Sequence, residues 1–273
     1  MPITLMNRCA LIAAALVLLS LPTPVMAHDT WLLPARWQLA PGAAIQLELT
    51  SGMGFPALDS AVAADRLTAN SLRLAGKDYS LATSPAPQAL QLSAVVAGEG
   101  IAVAWIASRE RTLDLTAQEV EEYLEEIGAG GTIGRQWVAS GRPAWRETYI
   151  KLAKTFVRVG DPTGDTTWGQ PVGLLLELVP ERDPTQVQAG DRFGVQLLWR
   201  GEPLADLAVI AAAARGRPIE VTTDANGRAM FTMDRPGPWL IKATLIRPSE
   251  RRPGEWESQF TTLTLEVRDH PVQ

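Results

Sequence analysis

Residues 223–243 read TDANGRAMFTMDRPGPWLIKA, and their two breaks set the fold class. Asp224-Ala225-Asn226-Gly227 is a tight turn of the sort that joins two hairpin strands, with Gly227 able to take a positive φ. Beyond it Ala229, Phe231 and Met233 recur at every second position, the period of a half-buried strand. Pro236-Gly237-Pro238 breaks the chain again and leads into the apolar stretch Trp239-Leu240-Ile241-Lys242-Ala243.

The same grammar extends in both directions. Toward the C-terminus, 258–267 carries Phe260, Leu263, Leu265 and Val267. Toward the N-terminus lie an apolar run at 208–213, a turn at 201–203 and an alternating stretch at 193–199. A further turn at 188–191 follows an apolar stretch at 173–179. About seven short strands with Gly/Pro turns predict an immunoglobulin-like β-sandwich over 171–268. Upstream, 160–169 (GDPTGDTTWG) is a polar linker and marks a domain boundary.

Residues 28–160 form a second β-rich unit. In 44–49 (AIQLEL) apolar and polar residues alternate, and Pro41-Gly42 supplies the turn before it. Short β-like pieces follow at 72–74, 88–95 and 101–108. A helical insert is expected over about 113–156. Thr116-Ala117-Gln118-Glu119 has the form of a capping box, and Val120, Tyr123, Leu124 and Ile127 fall at helical spacing. Gly128, Gly130 and Gly131 end that helix. A second helix is predicted over 145–156, with Tyr149, Leu152 and Ala153 inward and Lys151 and Lys154 outward. Glu121, Glu122, Glu125 and Glu126 read as a solvated helix face rather than a metal cluster. The fold class is therefore mainly β, two immunoglobulin-like sandwiches with a short helical insert between them.

Residues 1–27 read as a secretory leader. Arg8 precedes an apolar run at 11–21, and Val25-Met26-Ala27 is a small-x-small cleavage site. The run is shorter than the roughly 20 residues a bilayer-spanning helix needs. Cleavage after Ala27 places the protein in the periplasm or outside the cell, with His28 as its first residue. Removing the first 27 of 273 residues leaves 246, and losing Arg8 takes the net charge from -5 to -6. Mild acidity argues against nucleic-acid partners. Cys9 leaves with the leader, so disulfides, thiolate ligands and cysteine nucleophiles are excluded from the remainder. Most of the nine tryptophans are expected to pack the core.

Taken in order, seven pieces resemble the DUF4198 family of exported bacterial proteins. They are His28-x-x-Trp31, 40–42 (APG), 151–160 (KLAKTFVRVG), 177–184 (ELVPERDP), 223–231 (TDANGRAMF), 235–243 (RPGPWLIKA) and 255–258 (EWES). The resemblance spans essentially all of the chain after the leader. It implies a link to periplasmic nickel and cobalt uptake, and a second domain similar to sandwich modules appended to carboxypeptidases and surface proteins. Family members often carry a histidine in the strand after the WLIKA stretch. Here it reads Thr244-Leu245-Ile246, a departure that counts against a carried-over multi-histidine metal site.

Chemistry points to His28. An N-terminal histidine offers its α-amine and imidazole Nδ1, which together close a six-membered chelate ring on a divalent metal. An α-amine titrates near about 7.7–8.0, low enough to bind near neutral pH. Nitrogen donors favour nickel, cobalt or copper over magnesium or calcium. Asp29 is the candidate supporting oxygen ligand, and His270, the other histidine, the candidate second imidazole. Neither Gly-x-Ser-x-Gly nor His-Glu-x-x-His occurs. The sequence thus predicts a non-enzymatic metal-binding or metal-delivery protein, with a metal transporter or another envelope protein as partner. The alternatives are an envelope interaction module without a metal and, more weakly, an enzyme acting on polysaccharide. Trp145-Arg146 and Trp256-Glu257 would supply the stacking face for that last reading.

Overall fold

A computed structural model of the protein describes residues 28–269 apart from Gly128 and Gly130. The expected leader at 1–27, residues 270–273 with His270, and the two glycines expected to end the first helix lie outside the described residues. Along the chain the first strands are β1 (Asp29–Pro34), β2 (Gln38–Leu39), β3 (Ala44–Gly52), β4 (Ser60–Ala61), β5 (Leu67–Leu74) and β6 (Lys77–Ser80). Next come β7 (Ala82–Pro85), β8 (Leu90–Val95), β9 (Gly100–Ser108), β10 (Arg111–Leu115), the helices α1 (Ala117–Glu126) and α2 (Thr132–Ala139), and β11 (Trp145–Val159). The last are β12 (Leu176–Pro180), β13 (Arg192–Trp199), β14 (Glu202–Pro203), β15 (Ala208–Ala213), β16 (Ile219–Thr222), β17 (Arg228–Thr232), β18 (Gly237–Pro248) and β19 (Trp256–Val267).

The strands build three layers. In the middle is a ten-stranded sheet, ordered β16-β15-β18-β19-β11-β9-β5-β6, with β10 and β2 also paired to β11. A five-stranded sheet of β1, β3, β8, β7 and β4 covers one face, and a four-stranded sheet of β12, β13, β14 and β17 covers the other. Strand β9 shows how the sequence supports this arrangement. Ile101, Val103 and Trp105 point toward the four-stranded sheet and pack with Leu176, Phe193 and Phe231. Ala102, Ala104 and Ile106 point the other way and pack with Leu32, Leu47 and Leu92. A strand buried on both faces needs no polar alternation, which is why 101–107 is apolar throughout.

The expected helix over 145–156 is instead the 15-residue strand β11. It pairs with β10 and β9 on one side and runs parallel to β19 on the other, Lys151 opposite Phe260. Leu152 and Phe156 belong to one core, while Ala153, Val157 and Val159 belong to the other. Burial on both faces erased the two-residue period and left a spacing that mimics a helix. Lys154, expected outward, is 1% exposed and ion-pairs with Glu177 across the layers.

Strands from either side of the 160–169 linker therefore meet in one sheet, and the two sandwiches share it. The 224–227 turn also differs from the expected hairpin. It carries the chain from β16 in the ten-stranded sheet to β17 in the four-stranded one. Gly227 has φ +71, and a Cβ there would lie 2.6 Å from the Leu197 carbonyl, so the corner requires glycine. The helical insert is real but shorter than expected. Thr116 caps α1 as a capping box: its hydroxyl accepts from Glu119 N–H at 3.4 Å, and the Glu119 carboxylate accepts from Thr116 N–H at 2.8 Å. Val120, Tyr123, Leu124 and Trp137 pack with Trp145, Ile246 and Phe260 at the end of the central sheet.

Candidate binding cleft

Strand β1 is an edge strand. It pairs with β3 on one side, Asp29 opposite Gly52 through Pro34 opposite Leu47. Its other edge would leave carbonyls without partners, and side chains from the central sheet meet that need. The Thr262 and Thr264 hydroxyls donate to the carbonyls of Thr30 and Leu32, each at 2.6 Å. Lys151 Nζ donates to the His28 carbonyl, and Lys242 Nζ pairs with Asp29 Oδ2 at 2.7 Å. Side chains of β11, β18 and β19 thus lock the start of β1 against the central sheet. Trp31, fully buried, packs edge-on against Phe55 with ring centroids 5.6 Å apart.

The anchoring sets His28 at the rim of a cleft of about 440 Å³. Its walls include Thr30 and Ser51 from the outer sheet and Arg66, Arg111, Tyr149 and Lys151 from the central sheet and its connections. Thr30 and Ser51 share a hydrogen bond of 2.6 Å. The wall is basic. Arg66 ends the single 3-10 turn Ala64–Arg66 just before β5 and donates to the Arg109 carbonyl at 3.3 Å, while its Nε is buried with no hydrogen-bond partner among the described residues. Burial and then the charge of Arg111 draw the Arg66 guanidinium below its ordinary value, against the opposing influence of Tyr149 and Asp65. Arg111, exposed at the start of β10, has no ion-pair partner among the described residues.

The three sequence-derived site residues have different surroundings. Nothing among the described residues hydrogen-bonds to the His28 imidazole; only its carbonyl is engaged. Asp29 lies beside it, with its carboxylate already taken by Lys242. His270 lies outside the described residues. His28 and Thr30 sit level with 260–262 of β19, through Lys151 and Thr262. Among the described residues no three His, Cys, Asp or Glu side chains gather as a metal cluster. Sequence reading missed Arg66 and Arg111. Arg66 is a lone basic residue and Arg111 follows Arg109 and Glu110, neither in a motif, and only the packing of β5, β10 and β11 brings them together.

Other polar clusters are mostly paired internally, although Arg247 Nε and Gln259 Oε1, in the lining of a second cleft, are buried with no hydrogen-bond partner among the described residues. Glu147, fully buried, accepts from Tyr123 Oη at 2.8 Å, Trp145 Nε1 at 2.7 Å and the Ser258 hydroxyl. Burial pushes its carboxyl above the ordinary carboxylate range, against those three donors. Glu177 accepts from Lys154 and from the backbone N–H groups of Val172, Gly173 and Leu174. The second cleft, of about 280 Å³, is lined by mutually paired charges, Arg247 and Arg251 with Glu257 and Arg251 with Glu110. Trp145 and Trp256 stack on each other, centroids 4.1 Å apart and 4° from parallel, and Trp145 is 1% exposed. That pair packs the helical insert instead of presenting a sugar-stacking face.

The model of a family described as a domain of unknown function, DUF4198, matches residues 25–247. No curated protein matches the chain significantly. Among solved structures, a Salmonella alpha-2-macroglobulin mutant is similar at 12% identity and TM-score 0.25, over 87% of this chain and 15% of that one. Fibronectin(III)-like modules of Clostridium thermocellum CbhA are similar at 9% identity and TM-score 0.22, over 89% of this chain and 98% of that one. An ICAM-5 D1-D4 ectodomain fragment gives 13% identity and TM-score 0.21, over 90% and 52%. The chain thus spans less than a sixth of the first of these. Among the described residues no helix is long and apolar enough to cross a membrane.

Proposed function

Because the chain belongs to the DUF4198 family, over residues 25–247, we propose that it binds a divalent transition metal, nickel, cobalt or copper, at the rim of the His28 cleft. On this reading the protein is exported and cleaved after Ala27, and it delivers its cargo to a metal transporter or another envelope protein. The family match begins at residue 25, leaving the apolar run at 11–21 outside the matched domain. One observation carries the reading: His28 is held by its carbonyl at the mouth of the cleft while its imidazole remains without a hydrogen-bond partner among the described residues. Cleavage would add an α-amine at the same point, completing a two-nitrogen chelate. Asp29 contributes only if the metal displaces Lys242 from its carboxylate.

The test is a calorimetric titration of Ni²⁺, Co²⁺ and Cu²⁺ into protein beginning at His28 and into protein carrying one extra residue before it. The expected result is binding at least tenfold tighter to the authentic terminus. Equal affinity in the two forms overturns the role of the amine. Absence of binding in both overturns the metal reading and leaves the interaction module in its place.

A further inference from the structure

We propose that the cleft receives the metal as an anionic chelate, in which carboxylates of a small organic acid complete the coordination sphere and are held by Arg66 and Arg111. This rests on the metal reading above and names the form of its cargo. The donor set is the first argument. His28 supplies at most two nitrogens, Asp29 is bound by Lys242, and the described residues offer no further cluster of ligands. The described residues thus leave most of the ion's coordination positions to be filled from elsewhere.

Charge is the second argument. The wall holds Arg66 and Arg111, with Lys151 bonded to the His28 carbonyl and Lys242 on Asp29. Among the described residues four carboxylates lie close by: Asp29, bound by Lys242; Asp65, on the chain beside Arg66; Asp59, against Gly52 opposite Asp29; and Glu110, paired with Arg251; none of the last three lines the cleft. A bare dication entering this basic wall is repelled; a complex with net negative charge is attracted. Space and donors agree with this. About 440 Å³ is far larger than a metal ion needs and falls in the range of small-molecule sites. The buried Arg66 Nε is a donor still without an acceptor, and a guanidinium fork matches a carboxylate.

The experiment titrates NiCl₂, preformed 1:1 nickel–citrate and citrate alone into protein beginning at His28. It repeats nickel–citrate with the Arg66→Gln/Arg111→Gln and Arg111→Gln variants. Arg111 is exposed, so its single variant keeps the test valid if the double variant does not fold. Nickel–citrate should bind at least tenfold tighter than Ni²⁺ alone. The variants should bring it down toward the affinity of Ni²⁺ alone, with the double variant losing more. Equal affinity for nickel with and without citrate, or full retention of the preference in both variants, overturns the chelate and leaves metal binding standing. No difference between citrate and nickel–citrate shows that the metal adds nothing to anion binding and overturns the chelate, while the NiCl₂ titration decides the metal reading separately.

Discussion

Glu147 shows what one buried carboxylate does to a β protein. It sits between α1 and the central sheet and receives three donors, from Tyr123, Trp145 and Ser258. Desolvation still wins and raises its pKa in the folded state above the ordinary value of 4.5. The sign of the linkage follows. Between 4.5 and the raised folded value the native state holds a proton that the unfolded chain has lost, so this group's contribution to stability falls as pH rises through that window. Asp78, Asp161 and Asp234 run the other way, their carboxylates lowered by hydrogen bonds from Arg73, Thr163 and Arg235. Comparing the wild type with Glu147→Gln cancels those groups. Urea midpoints at pH 7 and pH 5 should show the wild type gaining on the variant toward the acid side. A constant gap across that range would mean that Glu147 titrates as it does in the unfolded chain.

At the scale of the element, β1 and β11 explain which parts were legible. The capping box at Thr116, the existence of a turn with positive φ at Gly227 and the alternation at 229–233 are written in residues a few positions apart, although which sheets that turn joins is not. Strand β11 depends on what covers its two faces, and that information lies in β1, β3, β12 and β13 rather than in 145–159. His28 could be singled out because a histidine after an expected cleavage site is a local feature. Arg66 and Arg111 could not, since their juxtaposition is created by pairing of β5 with β9 and of β10 with β11. Strand β1 depends on the central sheet in the same non-local way. Thr262→Val and Thr264→Val keep shape and leave the carbonyls of Thr30 and Leu32 buried without donors, at about 1–3 kcal/mol each. Hydrogen exchange across β1 should quicken by roughly tenfold or more, equivalent to ~1.4 kcal/mol, while α1 amides change little. Unchanged protection in β1 would show that pairing with β3 alone holds it.

For the molecule as a whole, the shared sheet governs cooperativity. Two sandwiches joined only by a polar linker would each bury their own core and melt separately. Here β19 has β18 on one side and β11 on the other, and Leu152 and Phe156 of β11 pack in the same core as Phe193, Phe231 and Leu263. Removing 28–160 therefore strips β19 of a nine-residue ladder and opens the core beneath it. The exposed edge and its apolar face favour association over folding. The intact protein should unfold in one transition by calorimetry and by urea, with coincident tryptophan-fluorescence and circular-dichroism curves. A fragment of residues 171–269 should lack dispersed amide signals in an NMR spectrum. Protein cut by a protease within 160–169 should remain a single particle on a sizing column, because the cut severs the chain but none of the β11–β19 hydrogen bonds. Two separable transitions, or a folded 171–269 fragment, would show that each sandwich closes its own core and that the shared sheet is a contact between domains rather than the centre of one structure.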